Sequence, residues 1–179
     1  GVDKAGSLLP DIVNSSNLTL FTPEQQRAIE LHQAIDRFTD AHPLFIHSKT
    51  FIAPPYTRFA GVLVDIFYDY CLSHAWHHYT QQPLHEFIQE THQALQQQLP
   101  VLPLAGQNVL EHLIKQEWLA SYQTHEGLSL SLDRISHRLK RRVELAPSVA
   151  LLKQYEAGFM QDFQAFYPEL MHYCERFQP

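Results

Sequence analysis

Apolar residues recur three and four positions apart through most of this 179-residue chain, and that period constrains its fold more than any other feature. Side chains at i, i+3, i+4 and i+7 share one face of an α-helix, so a chain patterned this way must pack helix on helix to bury them. Prolines and capping residues mark the boundaries. Thr22-Pro23-Glu24-Gln25 reads as a helix start, with Thr as N-cap, Pro at the first helical position and Gln three residues after the cap. That helix is expected to reach about Ala41 and to stop before Pro43. A short segment from Leu44 to Phe51 follows, and Pro54-Pro55 is expected to open a long helix to about Tyr79. Further helices are expected from about Leu84 to Gln98, Gly106 to Tyr122, Leu128 to Val143 and Ser148 to Arg176. Only Gly127 to Leu132, GLSLSL, alternates like a strand. It has no second strand to pair with, so it too is expected to be helical. With no internal repeat and no dividing linker, the expectation is an all-α, single-domain helical bundle over residues 1–179.

Composition narrows the function. A net charge of −6 argues against a general nucleic-acid binder, which is usually basic overall. No apolar run is long enough to span a bilayer, and no signal peptide is visible, so no membrane partner is expected. Cys71 and Cys174 sit in helix-like apolar surroundings and read most simply as two buried thiols in a reducing cytoplasm. The chain opens on GVDKAG without an initiator Met, and further residues are expected before it.

Two acidic stripes are the candidates for chemistry. In ELHQAIDRFTD, His32, Asp36 and Asp40 lie at i, i+4 and i+8, along one side of a helix. In GVLVDIFYDY, Asp65 and Asp69 are also i, i+4, inside a run that is otherwise apolar. A carboxylate in such a run must neutralise, pair with a cation or bind a metal. Set face to face, the two stripes would offer imidazole and several carboxylates, donors that suit Mn²⁺, Fe²⁺, Zn²⁺ or Mg²⁺. The plainer alternatives are a surface His–Asp pair on the first helix, and an Asp paired with Arg37 or Arg58 on the second. His74 and His78 in HAWHH share the i, i+4 spacing but lie at a polar helix end, where solvated histidines are expected. The stretch DRISHRLKRR concentrates Arg134, His137, Arg138, Lys140, Arg141 and Arg142. It reads either as a solvated helix end or as a dock for an anionic partner. No Gly-rich phosphate loop and no GxSxG elbow is present.

Five segments in order, AGSLLPDIV, LHQAIDRFTDAHP, RFAGVLVDIFYDYCLSHAW, EWLASY and FQAFYPEL, together resemble the bacterial acyl carrier protein phosphodiesterase family, over nearly the whole chain. The resemblance implies an all-helical fold distantly related to the HD-type metal phosphohydrolases. It also implies removal of the 4′-phosphopantetheine arm from holo-acyl carrier protein with a divalent metal, typically Mn²⁺. By position it implies Asp11, His32, Asp36 and Asp69 as metal ligands, with Asp65 and Asp40 close by and Arg138 where phosphate could be met. Acyl carrier protein is small and acidic, so Arg134, Lys140, Arg141 and Arg142 become its expected dock. The family usually begins with a short His-containing segment, and this chain starts after it. Two other readings stand beside this one: an HD-like hydrolase of a nucleotide or other small phosphoester, and a non-catalytic helical binding protein.

Overall fold

A computed structural model of the protein describes residues 23–98, 118–138 and 143–177. Every regular element among them is helical. They are α1 (Pro23–Ala41), α2 (Pro43–Lys49), α3 (Ala60–Ala75), α4 (Leu84–Gln98), α5 (Trp118–Ser121), α6 (His125–Arg138) and α7 (Val149–Arg176). Tight single turns at Thr57–Phe59, Trp76–His78 and Ala146–Ser148 join them. No described helix is long and apolar enough to cross a membrane.

The long α7 is the axis of the packing. It lies against α1, α2 and α3, and its buried side chains Leu152, Phe159, Phe163 and Phe166 supply much of the core. Phe67 of α3 meets Phe159 edge-on at 5.4 Å, and Tyr68 meets Phe163 likewise at 5.4 Å, the aromatic geometry that places a ring's positive edge on its neighbour's negative face. Pro168 sits inside α7, but on its exposed side, so the ring crowds solvent rather than the core. The backbone leaves helical geometry at Tyr155 (φ −115°, ψ 22°).

The expected helix from Pro54 to Tyr79 is shorter than the sequence suggests. Regular helix begins at Ala60, because Phe59 before it is off helical geometry (φ −108°, ψ 10°), and it ends at Ala75. There the Trp76 indole N–H donates to the Gln82 carbonyl at 2.7 Å and turns the chain toward α4. The segment Leu44–Phe51 is mostly the helix α2, whose start is capped by His42. GLSLSL is helical, as expected, but α6 begins earlier than Leu128, where the Thr124 hydroxyl accepts from the Gly127 N–H at 3.0 Å. Val143 lies outside helix. Of the expected helix Gly106 to Tyr122, residues 106–117 lie outside the described residues. Both cysteines are free thiols. Cys71 is buried, but Cys174 is half-buried, since its end of α7 has fewer neighbours to cover it than the middle.

Gly127 permits a close approach of two helices. A Cβ there would overlap the backbone carbonyl oxygen of Ser121, at the end of α5. The Ser121 and Ser131 hydroxyls, 2.8 Å apart, tie the same two helices. Gly127→Ala should therefore cost about 1–3 kcal/mol by forcing α5 from α6. Gly61→Ala, where a Cβ would meet nothing within 4 Å, should instead stabilise by about 0.5–1 kcal/mol. Urea midpoints of the two variants check the contrast.

Candidate functional site

Asp65 and Asp69 do not lie in the core. Along α3, Val62, Asp65 and Asp69 fall at i, i+3 and i+7 and form an exposed stripe, while Leu63, Val64, Ile66, Phe67, Tyr70 and Cys71 turn inward. The 3.6-residue period lets an almost wholly apolar segment keep one narrow polar line. Arg58, weighed as a partner for this pair, has its guanidinium over the Phe59 ring at 5.8 Å.

Asp69 is nonetheless unusual. It borders a recess of about 70 Å³ walled by Leu72 and Trp76 at the end of α3, Leu84 and Phe87 of α4, and Tyr122 just after α5. Two properties of its carboxyl pull apart. The residue is exposed to solvent, yet its pKa is raised to about 7, first by desolvation and second by the like charge of Asp65 one turn away. The upward direction stands, because the apolar recess and the neighbouring carboxylate both disfavour ionisation, and exposure of part of the side chain limits only its extent.

The other expected site residues are placed as follows. On α1, His32 Nε2 lies 3.4 Å from Asp36 Oδ2, so that i, i+4 pair is made, with Asp36 57% exposed. Asp40 is exposed further along the helix. The expected face-to-face meeting of the two stripes is not the main packing. α1 lies chiefly against α2 and α7, led by Phe38, which stacks on Tyr173 at 4.6 Å and approaches Phe166 at 6.2 Å. Those aromatic contacts fix the rotation of α1 and leave its acidic line toward the open side. Arg134 is half-buried on α6, and Arg138 is that helix's last residue. Asp11, Lys140, Arg141, Arg142 and the side chain of Arg138 lie outside the described residues. His74 and His78 are exposed, as expected for solvated histidines.

The described residues thus offer two donor pairs, His32 with Asp36 and Asp65 with Asp69. No group of three His, Cys, Asp or Glu able to hold a metal ion forms among the described residues alone. The chemistry of the donors fits a hard divalent cation: carboxylates, one imidazole and no thiolate. The thiol of Cys71, on the same helix as Asp65 and Asp69, is pushed up to about 12 by burial, which keeps it protonated at neutral pH.

Two further polar clusters escaped the sequence. In one, Ser48 Oγ donates to Asp162 Oδ2 at 2.8 Å, His47 Nδ1 lies 2.7 Å from the same oxygen, and the Tyr68 hydroxyl is 3.0 Å from Ser48 Oγ. Asp162 is buried, and burial raises the Tyr68 phenol well above its usual range. In the other, Tyr70 donates to Glu156 at 2.8 Å and its ring stacks on His125 at 5.1 Å. Tyr70 points into the core, away from the stripe that carries Asp69, so it links α3 to α6 and α7. Separations of 114 and 86 residues between partners leave no local pattern to read.

Comparison with known proteins bears on the family of the chain. The family model described as acyl carrier protein phosphodiesterase matches residues 3–170. Proteins named acyl carrier protein phosphodiesterase from Yersinia enterocolitica and Photorhabdus laumondii are each 28% identical to the chain. The matches cover 93% and 95% of this chain and 86% of each relative. The protein of that name from Enterobacter sp. strain 638 is 27% identical over 93% of this chain and 87% of its own length. No solved structure gives a significant match. An all-helical chain whose acidic stripe and recess fall inside a match of this extent belongs to the acyl carrier protein phosphodiesterase family.

Proposed function

We propose that the protein hydrolyses the phosphodiester joining 4′-phosphopantetheine to the serine of acyl carrier protein, releasing apo-acyl carrier protein, and that it does so in the cytoplasm. The family match across residues 3–170 carries this reading. In the reaction, water oxygen bonds to phosphorus, the bond from phosphorus to the serine oxygen breaks, and the serine oxygen leaves with a proton. Asp65 is the proposed acceptor of the water proton, with Asp40 of α1 as a second candidate and Arg138 offsetting phosphate charge. The Asp69 carboxyl is pushed up to about 7, first by desolvation and then by the charge of Asp65. Asp69, His32, Asp36 and Asp11 are the proposed holders of a divalent cation, Mn²⁺ first. His32 and Asp36 are already paired at 3.4 Å, while Asp69 would have to move to join them, since no group of three forms among the described residues. Such an ion, when bound, lowers the pKa of water and neutralises phosphoryl charge. The walls beside Asp69 exclude water from one side of the reacting centre. Arg134, Lys140, Arg141 and Arg142 are the proposed dock for the acidic carrier, acting mainly on association rate and sensitive to salt.

Incubation of the full-length protein with holo-acyl carrier protein and Mn²⁺ tests the reading through the carrier's mass. The expected result is loss of the phosphopantetheine arm. A carrier mass unchanged after prolonged incubation would overturn it.

A further inference from the structure

The recess beside Asp69 is too small for a whole substrate and too apolar for a phosphate. Its volume of about 70 Å³ is far below the roughly 300–1,000 Å³ of a pocket that encloses a complete small-molecule ligand. Its walls are Leu72, Leu84, Ile88 and the rings of Trp76 and Phe87. Those rings lie 4.8 Å apart and brace each other. The polar groups in the walls are already engaged. The Trp76 N–H donates to the Gln82 carbonyl at 2.7 Å, and Ser73 Oγ donates to the Tyr70 carbonyl at 2.8 Å. Tyr122 is not free either. Among the described residues, what remains for a ligand is a small apolar hollow with one carboxylate, Asp69, at its edge.

The substrate arm has a group of matching size and placement. In 4′-phosphopantetheine the phosphate ester oxygen is carried by a methylene, and the next atom is a quaternary carbon bearing two methyls. A compact apolar group therefore sits one methylene from the reacting phosphate. Resting on the proposed phosphodiesterase reaction, we infer that the recess formed by Leu72, Trp76, Leu84, Phe87 and Tyr122 binds the dimethyl carbon of the pantetheine arm, and so seats the adjacent phosphodiester beside Asp69. This gives the enzyme a reason to select a pantetheine phosphodiester over other phosphodiesters. A dimethyl group fills the hollow, whereas an unbranched alkyl or a sugar carbon leaves it partly empty or places hydroxyls against unreceptive walls.

The test compares two substrates on the wild-type protein. One is natural holo-acyl carrier protein. The other is the same carrier loaded with an arm in which both methyls are replaced by hydrogen. Each methyl-sized group in an apolar pocket is worth about 10–200-fold in kcat/KM, so the natural arm should be preferred by at least about 10-fold. Leu84→Trp, which fills the recess from its half-buried α4 wall, should lower kcat/KM for the natural arm by about 10-fold while affecting the dimethyl-free arm less, which narrows the preference. Equal cleavage of the two arms by wild-type protein would overturn the inference and leave the phosphodiesterase reading standing. Cleavage of neither would overturn both. Equal losses on both arms in a folded Leu84→Trp protein, with its helicity checked by circular dichroism, would also count against it. If that variant does not fold, the wild-type comparison decides alone.

Discussion

Asp69→Asn should lower kcat/KM on holo-acyl carrier protein by about 10²–10⁴-fold, the range found when a group handling charge at a reacting centre is lost. Asparagine keeps the shape of the side chain at the edge of the recess and removes only its ability to ionise. The loss should therefore appear without a lower melting temperature. Asp65→Asn should cost a comparable factor, because Asp65 is the proposed acceptor of the water proton. A variant at Asp69 that retained wild-type turnover would place the chemistry elsewhere.

The same substitution has a pH signature. The Asp69 carboxyl is raised from its ordinary value of 3.8 to about 7 in the folded protein, first by desolvation and then by Asp65. A group that binds its proton more tightly when folded contributes its stability fully below the unfolded pKa and loses it as pH rises through the folded pKa. In a chelator, wild-type stability should therefore fall relative to Asp69→Asn between about pH 4 and pH 7 and level off above. Added Mn²⁺ should restore the wild type at pH 8 and leave Asp69→Asn unmoved, since an ion that binds only the folded, ionised site stabilises by mass action. Urea midpoints for both proteins, with and without Mn²⁺, check this. Curves that stay parallel across pH would mean that Asp69 titrates as an ordinary surface carboxylate.

The helices were legible because their information is local. Apolar period and Pro23 are enough to place α1, and the same period overrides the strand-like alternation of GLSLSL. Ends were less legible where a distant residue sets them. The carbonyl of Gln82 ends α3 at Ala75, and nothing in the run from Pro54 to Tyr79 announces it. The two acidic pairs could be read from i, i+4 spacing, but not which way they face. An apolar run invites a core placement for Asp65 and Asp69, whereas a helix buried on most of its circumference still has one open line, and the carboxylates occupy it. The relation of α1 to α3 was not legible either, since Phe38, Phe166 and Tyr173 settle the rotation of α1 from two parts of the chain far apart in sequence. Tertiary polar clusters have no sequence signature at all, and the one on Asp162 carries the largest expected effect on stability.

Asp162→Ala should destabilise the fold by about 2–3 kcal/mol, the upper part of the range for leaving buried hydroxyls without their acceptor, since His47 on the same oxygen is 58% exposed and can turn to water. Asp162 Oδ2 receives the Ser48 hydroxyl at 2.8 Å and faces His47 Nδ1 at 2.7 Å, and Ser48 is fully buried. Without the carboxylate, the Ser48 hydroxyl and the Tyr68 hydroxyl 3.0 Å from it are left in an apolar interior with too few acceptors. The cluster joins α2, α3 and α7 at their mutual contact. Ser48→Ala should cost about 1–3 kcal/mol by itself, because it strips one donor from the carboxylate while His47 remains. The double variant should cost clearly less than the sum of the two, since once Asp162 is gone the buried serine hydroxyl is a liability that Ala removes. Denaturant unfolding of the three variants measures the coupling. Additive losses would mean that Asp162 is held by His47 alone and that Ser48 merely packs. A shortfall of about 1 kcal/mol or more would establish the four side chains as one cooperative unit locking α2 between α3 and α7.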